Sequence, residues 1–234
     1  RKGTQVDVKV NHSTEQFDYD LNPLTTQQRA EVVWRAAVND RSNPNKASSL
    51  YSYDWNGNYD TPELYSVILP TYIDGAKTMR PADTNWFDLV TTTATTEDVH
   101  IGISSADEDT STYLSLGYLN REGVVNASAF ERLSVRLNSE HLFADGRVKV
   151  GENLTITNQE QNLVNDLAGN ILGLAIEQQS IVPVRTEDGK GWGGPTAGIT
   201  DRDNPVRIIE MSKDNVSRFN KVLGNVYVEV TPID

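Results

Sequence analysis

The strongest constraint in this chain is a two-residue alternation of apolar and polar side chains that recurs along much of its length. The segment 111–140 shows it twice, at the apolar positions Leu114, Leu116 and Tyr118 and then Leu133, Val135 and Leu137. Because successive side chains of a β-strand point to opposite faces, each half predicts a strand with one apolar and one polar face. Such strands fit a soluble sheet over a core, and equally a sheet between lipid and a wet channel.

The same alternation predicts six strands in all. They cover residues 4–12, 97–105, 111–119, 130–142, 147–157 and 219–231. The first is the clearest, with Val6, Val8 and Val10 on one face and Asp7 and Lys9 on the other. In the fifth strand Glu152 interrupts the apolar positions, so we expect it near a rim or a bulge.

The connections between these strands favour the channel. Strands two and three, and strands four and five, are joined by short turns, whereas the excursions 13–95 and 158–217 are long. In an up-and-down meander all short turns then fall at one end, as in outer-membrane barrels. In a Greek-key sandwich the short connections need not all lie at one end of the sheet. Aromatic residues placed towards strand ends agree with an aromatic girdle: Tyr113, Tyr118, Phe130 and Phe143.

Each long excursion carries one helical pattern. In 25–40 the apolar residues Ala30, Trp34 and Ala37 recur at helical spacing behind a Thr cap, and a second helix is predicted over 162–179. We expect both helices at the same end of the sheet, and residues 41–94 as a large irregular loop. The first and last strands should each keep one unpaired side. The valines and isoleucines should face the convex side, and Asp7, Lys9, His100, Arg136, Asn138 and Glu229 the concave side.

Composition excludes several classes of function. No stretch approaches the roughly 20 apolar residues of a membrane helix, and the net charge of −12 disfavours nucleic-acid binding. The chain has no cysteine, its three histidines lack the spacing of a metal motif, and the Gly-rich segment 188–198 lacks a phosphate-binding signature. We therefore predict no catalytic residues, no metal site and no cofactor.

Aromatic residues of the long loops are the candidate binding residues. Amphipathic rings in loops can stack on sugars or pack against a peptide. On that basis the substrate-binding candidates are Tyr51, Trp55, Tyr59 and Trp192. The same rings could instead anchor the loops by packing, and the sequence leaves both roles open.

Several ordered segments carry a resemblance to a known family. Asn85-Trp86, Asp88 and Val90 match a D/N-W-x-D-x-V/I segment, and Tyr113, Gly117-Tyr118, Gly123, Phe130, Arg132, Arg136 and Asn138 match the two strands that follow it. Together they resemble the first barrel hairpins of SusC-like (RagA-like) TonB-dependent outer-membrane transporters. The start, residues 1–10, is similar to the junction between the family's plug and its first barrel strand.

The resemblance implies a mainly β fold, an antiparallel up-and-down transmembrane β-barrel segment of about six strands with long helix-containing extracellular loops. Residues 1–3 would end the plug junction, and 4–234 would form the N-terminal part of a barrel that is completed elsewhere in a longer protein. It further implies the bacterial outer membrane, a SusD-like surface lipoprotein as partner, TonB acting through regions outside this chain, and import of oligosaccharides or peptides. The alternative is a soluble, secreted β-sandwich that binds carbohydrate through its aromatic loops.

Overall fold

The computed structural model describes residues 3–18, 22–162, 164, 171–199 and 201–232. The strands are β1 (Gly3–Glu15), β2 (Ser52–Trp55), β3 (Leu64–Ile68), β4 (Ala94–Ala106), β5 (Thr110–Glu122), β6 (Ala129–Phe143), β7 (Val148–Asn162) and β8 (Val216–Val230). The helices are α1 (Thr26–Asn39), α2 (Trp86–Val90), α3 (Ile171–Glu177) and α4 (Pro205–Ser212), with a short 3-10 helix at Pro44–Lys46. Contacts divide the chain into two units, one built on the long strands and one built from the long excursions.

The long strands form one antiparallel sheet in the order β1-β4-β5-β6-β7-β8. This is the predicted meander of six strands, and each strand is a few residues longer than the alternation indicated. Within the described residues β1 and β8 pair with one neighbour each, so the sheet does not close on itself. Both long excursions leave and return at the same end, because Glu15 lies opposite Ala94 and Asn162 opposite Val216. The predicted parity of short and long connections is thereby confirmed.

The register separates an apolar face from a polar face across all six strands. Directly opposite residues share a face, which places Val8, Ile101, Leu116, Val135, Ile156 and Val222 in one row. The neighbouring row on the other face is Lys9, His100, Gly117, Ser134, Thr157 and Lys221. The apolar face is open, since Val6 is 60% exposed and Val226 73%. A soluble sandwich would bury these side chains under a second layer, so that alternative is wrong.

Two rows of mainly polar residues cross the apolar face. At the end of the long excursions one row holds His12, Glu97, Asn120, Glu131, Glu160 and Arg218, and towards the short turns another holds Thr4, Ser105, Thr112, Ser139 and Glu152 and ends at Val226 on β8. Between Thr4 and His12 the strand rises roughly 27 Å at about 3.4 Å per residue. On strands tilted 35–45° that length covers roughly 19–22 Å of height, which is slightly less than the apolar band of an outer-membrane barrel, about 25 Å tall. Glu152 lies in the second row, where its carboxylate accepts a 3.0 Å hydrogen bond from Ser139.

The predicted aromatic girdle is correct for two of its four residues. Tyr118 and Phe143 lie on the apolar face, in the rows of Val10 and Val230. Tyr113 and Phe130 were assigned wrongly, because the register turns both to the polar face beside Asn138 and Arg121. A position near a strand end does not fix the face, which depends on whether the residue number is odd or even along that strand.

The second unit is a compact domain folded from both excursions. Thr25 caps helix α1, as the sequence predicts, and forms a capping box with Gln28; the helix buries Ala30, Trp34 and Ala37. Residues 41–94 are more regular than expected, since β2 and β3 pair in a two-stranded sheet and α2 follows. Of the helix predicted at 162–179, residues 163 and 165–170 lie outside the described residues. Helix α3 covers residues 171–177 of that range. Helix α4 was not predicted.

Hydrogen bonds between backbone segments join the two excursions within this unit. Ala82 and Thr84 donate backbone N–H groups to the carbonyls of Ile181 and Ser180, at 3.0 and 2.8 Å. The indole of Trp86 donates to the carbonyl of Gln179 at 3.1 Å. Trp86, Phe87 and Val90 are almost completely buried, as are Ile181 and Val182. The segment that contains Trp86 thus joins one excursion to the other. The indole N–H of Trp86 supplies one of the hydrogen bonds between them.

In the part of the chain that is described, no helix combines the length and the apolar character needed to cross a membrane. The proposed plug junction at residues 1–3 stays a prediction, because Arg1 and Lys2 lie outside the described residues.

We predict that a charge on the apolar face disrupts assembly, whereas the same charge one residue away does not. Val135 occupies the middle of the apolar band, and Ser134 faces the polar side. Val135→Lys should destabilise the folded barrel by about 2–4 kcal/mol, the cost of a cation at a bilayer midplane. Ser134→Lys should change stability by less than about 1 kcal/mol. Heat-modifiable gel mobility and urea midpoints of the full-length protein measure the difference, and equal effects would contradict a lipid-facing assignment.

Candidate functional site

A trough on the polar face of the sheet is a candidate site of the strand unit. It encloses about 530 Å³ near the end of the short turns. One cross-strand row contributes Gln5, Ser104, Tyr113, Asn138 and Asn153 to its lining, and further hydroxyl groups and the Glu140 carboxylate line it as well. Amide and hydroxyl groups can both donate and accept hydrogen bonds. The trough therefore suits polar groups and water.

A charged network borders the trough. The Tyr227 hydroxyl donates to Glu140 at 3.1 Å, and the Lys149 ammonium lies 3.7 Å from Glu140 and 3.8 Å from Glu229. The Tyr227 ring crosses Gly151 on the neighbouring strand, where any Cβ would overlap the ring. Glycine is therefore required at 151 for the ring to lie flat on the sheet. The alternation predicted that Asn138 and Glu229 share this face, and the register confirms it. Tyr113 was predicted as a girdle residue, and the remaining trough residues were not singled out.

The predicted aromatic loop residues fall into different environments. Trp55 is half-buried and packs edge-on against Trp34, with ring centroids 6.3 Å apart, and against Tyr59 at 5.2 Å. Trp192 is also half-buried, and the Arg185 guanidinium stacks 3.2 Å from its ring centroid. Each of these three rings keeps part of its surface exposed. Tyr51, in contrast, is only 3% exposed, which favours the packing role that the sequence left open.

Tyr51 and Tyr53 form a polar element inside the core of the loop unit. The Tyr53 hydroxyl donates to the carbonyl of Ala30 at 2.9 Å, tying β2 to α1. The Tyr51 hydroxyl is buried without a hydrogen-bond partner among the described residues. Burial raises the pKa of Tyr53 to about 12, with a smaller contribution from the neighbouring Tyr51. Burial also raises the pKa of Tyr51, against the opposing effect of Arg29.

Two carboxylates organise the surface of the loop unit. Glu187 accepts from the Arg80 guanidinium at 2.6 Å and from the Tyr72 hydroxyl at 2.9 Å, and these two hydrogen bonds lower its pKa. Asp74 closes the turn before Met79. Burial alone would raise the pKa of Asp74, but hydrogen bonds from Met79 and Thr78 outweigh that effect and lower it. Both carboxylates thus have structural partners that explain their shifts.

Potential metal ligands are not clustered in the described part of the chain. Among the described residues no group of three or more His, Asp or Glu side chains is arranged to hold a metal ion. His141 contacts the hydroxyls of Thr110 and Ser139 at 3.3 and 3.4 Å.

Comparison with known proteins identifies what this sheet resembles. A TonB-dependent receptor of Formosa agariphila is 30% identical over 148 residues, and the TonB-dependent receptor SusC of Bacteroides thetaiotaomicron is 25% identical over 167 residues. Each match covers 63% of this chain. The resemblance to SusC-like TonB-dependent receptors is confirmed. No family model matches the sequence.

Solved structures extend the SusC-like likeness to the whole chain at the level of fold. Chains of the RagAB peptide importer, in its closed-closed and open-open states, superpose over 100% of this chain with TM-scores of 0.62 and 0.63 at 17% and 19% identity. The chain has the fold of an antiparallel barrel segment of these transporters. It spans 14% and 16% of the two curated relatives, and about a quarter of each RagAB chain. The matched relatives are receptors and transporters.

We predict opposite outcomes for removing the two core hydroxyls. Tyr53→Phe loses the bond to the Ala30 carbonyl and should destabilise the loop unit by about 1 kcal/mol. Tyr51→Phe removes a buried hydroxyl that has no partner and should be neutral or slightly stabilising. Hydrogen exchange of α1 amides in the full-length protein measures local opening. Equal loss of protection in both variants would show that neither hydroxyl acts through a specific bond.

The raised pKa of Tyr53 also predicts a pH dependence. A tyrosine whose pKa rises from 10.0 to about 12 on folding is stabilised in its neutral form. That stabilisation is complete below pH 10 and is lost as the pH rises through 12. Protection of α1 amides should therefore fall over this range in the native protein and less so in Tyr53→Phe. An identical fall in both proteins would assign it to another group.

Proposed function

We propose that this chain is part of the barrel wall of a TonB-dependent outer-membrane importer of oligosaccharides or peptides. Its apolar face would meet outer-membrane lipid, and its polar face would line the lumen. The loop unit would lie on the extracellular side, since the long connections of outer-membrane barrels are extracellular. Uptake would be powered through TonB by parts of the protein outside this chain.

One observation carries the proposal: a single-layer sheet with an open apolar face between two polar rows. In water such a face would expose contiguous apolar surface over several strands, which soluble monomers rarely do. Lipid provides the missing contact, because on tilted strands the roughly 27 Å between the polar rows covers roughly 19–22 Å of bilayer height. The receptor and importer functions named for the similar proteins support the same conclusion.

A SusD-like surface lipoprotein is the proposed partner. The support is the similarity to SusC and to chains of the RagAB complex, together with a large folded loop unit in place of short loops. A folded unit offers a second protein a defined surface. Substrate would then pass between this partner and the lumen.

The exposed loop aromatics are the proposed substrate contacts. Trp55, Tyr59 and Trp192 present partly exposed rings that can stack on sugar rings or on apolar peptide side chains. Tyr51 would not contact the substrate directly; its buried ring would hold β2 in place. Oligosaccharides and peptides both fit such rings, so the substrate class is tested by growth.

Deletion of the gene should abolish growth on the imported polymer. Cells lacking the protein should fail to grow on at least one oligosaccharide or peptide mixture as sole nutrient, and should grow normally on its monomers, which cross passive porins. Complementation with the intact gene should restore growth. Normal growth on every oligomer offered would contradict nutrient import.

Replacing the loop aromatics should weaken uptake without affecting assembly. Tyr59→Ala and Trp192→Ala remove partly exposed rings and should each raise the substrate concentration for half-maximal uptake several-fold, at the scale of about 1 kcal/mol per ring contact. Tyr51→Phe is the matched control, because it leaves every exposed ring intact. Unchanged uptake in both alanine variants would assign these rings to loop packing alone.

A further inference from the structure

One carboxylate lies on the apolar face in the interior of the sheet, away from its edges. Glu152 of β7 stands opposite Ser139 on β6 and Val226 on β8. Its side chain is exposed, and among the described residues its hydrogen-bond donor is Ser139, at 3.0 Å. Because β6 and β8 flank β7, further barrel strands extend the sheet beyond β8 and leave this face of Glu152 open.

Two hydroxyl groups and an imidazole ring lie beside this carboxylate on the same face. Ser139 is 9% exposed, and its hydroxyl also lies 3.4 Å from Nε2 of His141. The Nδ1 atom of His141 lies 3.3 Å from the hydroxyl of Thr110, the residue opposite it on β5. Glu152, Ser139, His141 and Thr110 thus form a connected group across three strands, which we call the polar cluster.

Apolar side chains enclose the polar cluster on the side of β8. Along β7 the neighbours of Glu152 on this face are Val150 and Leu154. The opposite residue on β8, Val226, is 73% exposed, and the valines of β8 continue on this face as far as Val230. The polar cluster is therefore the end of the second polar row, where polar groups meet an exposed apolar surface.

The height of Glu152 follows from an ion pair on the same two strands. Glu160 on β7 and Arg218 on β8 lie 2.7 Å apart and mark the limit of the apolar band on the side of the long excursions. Glu152 lies eight residues from Glu160, which covers roughly 19–22 Å of height on tilted strands. In a band about 25 Å tall, Glu152 is then about 3–6 Å from the opposite boundary. Lipid headgroups on that side are within reach of its carboxylate.

We propose that the polar cluster binds the headgroup of a zwitterionic phospholipid that carries a primary ammonium group. The inference rests on the proposed function, in which the apolar face meets lipid. A carboxylate without a countercharge is unfavourable so close to hydrocarbon, and a headgroup ammonium supplies that charge. The hydroxyls and the imidazole can donate hydrogen bonds to the adjoining phosphate. Diagonal neighbours such as Glu152 and His141 are about 7–8 Å apart, so one headgroup can contact both.

Native mass spectrometry of the full-length protein, released from nanodiscs of defined lipid composition, tests this site. Phosphatidylethanolamine, phosphatidylglycerol and phosphatidylcholine are offered in equal amounts. Phosphatidylglycerol lacks an amine, and the quaternary ammonium of phosphatidylcholine cannot donate a hydrogen bond. We expect the protein to retain phosphatidylethanolamine in preference to the other two lipids. Equal retention of the three lipids, or no retained lipid, would overturn the proposal.

Two carboxylates on the same strand and face provide a matched pair of variants. Glu152→Gln removes the charge but keeps the size of the side chain, and should reduce retention of phosphatidylethanolamine about tenfold relative to the other lipids. Glu160→Gln is the control, because Glu160 already has Arg218 as its partner, and should leave retention unchanged. Heat-modifiable gel mobility verifies that both variants fold.

Two outcomes with these variants would contradict the lipid site. One is unchanged retention of phosphatidylethanolamine by folded Glu152→Gln. The other is a dimer of the protein that Glu152→Gln dissociates without any change in lipid retention, which would assign the polar cluster to a second copy.

The lipid site and the proposed function can fail separately. Normal growth of the deletion strain on every oligomer would refute import and would not alter the lipid measurement. A growth defect together with equal retention of the three lipids would refute the lipid site and leave import standing.

Discussion

Pairing of backbone groups at the sheet edges is the constraint on which this structure depends. In a bilayer no water is present to satisfy an N–H or C=O, so a spanning sheet must end in another strand. Here the outer sides of β1 and β8 have no neighbour among the described residues, and both edges run the full length of long strands. Closing six strands on themselves would leave too little room for their inward side chains. Under the proposed function the sheet therefore needs further strands on both sides, which agrees with its coverage of about a quarter of each RagAB chain.

The loop unit follows from the same strand order. Because both long excursions leave from one end of the sheet, segments about a hundred residues apart in sequence can fold together, and residues 82–86 meet 179–182. Within that unit one buried polar side chain is fully bonded. Asn204 is fully buried, donates to the carbonyls of Val184 and Gly193, and accepts the backbone N–H of Arg207 at the start of α4. One amide thus organises the second excursion, much as Trp86 joins it to the first.

Periodicity predicted the sheet well because each long strand has two environments that differ strongly. Val6, Val8 and Val10 could not exchange faces with Asp7 and Lys9 without exposing charge to an apolar medium, so the sequence determines the register. The small sheet of β2 and β3 was not predicted, because a bulge between Asp54 and Trp55 interrupts the two-residue alternation of apolar and polar side chains. Helix α1 was predicted from its cap and its apolar face, whereas α2 is too short for any period to be visible. For the candidate site, the alternation indicated the polar face, but the trough depends on cross-strand register that a single strand does not reveal.

The strand edges of this chain are closed in different ways. The edges of β1 and β8 are long, flanked by valines on one face, and suited to continuation by further barrel strands. The edge of β2 is closed by the exposed Asn45 side chain, which bonds both backbone groups of Tyr53 and needs no second molecule. The outer edge of β3 has no such closure among the described residues, although one polar side chain suffices on β2. The chain spans about a quarter of each RagAB chain, so the β3 edge is open in the same sense as the edges of β1 and β8.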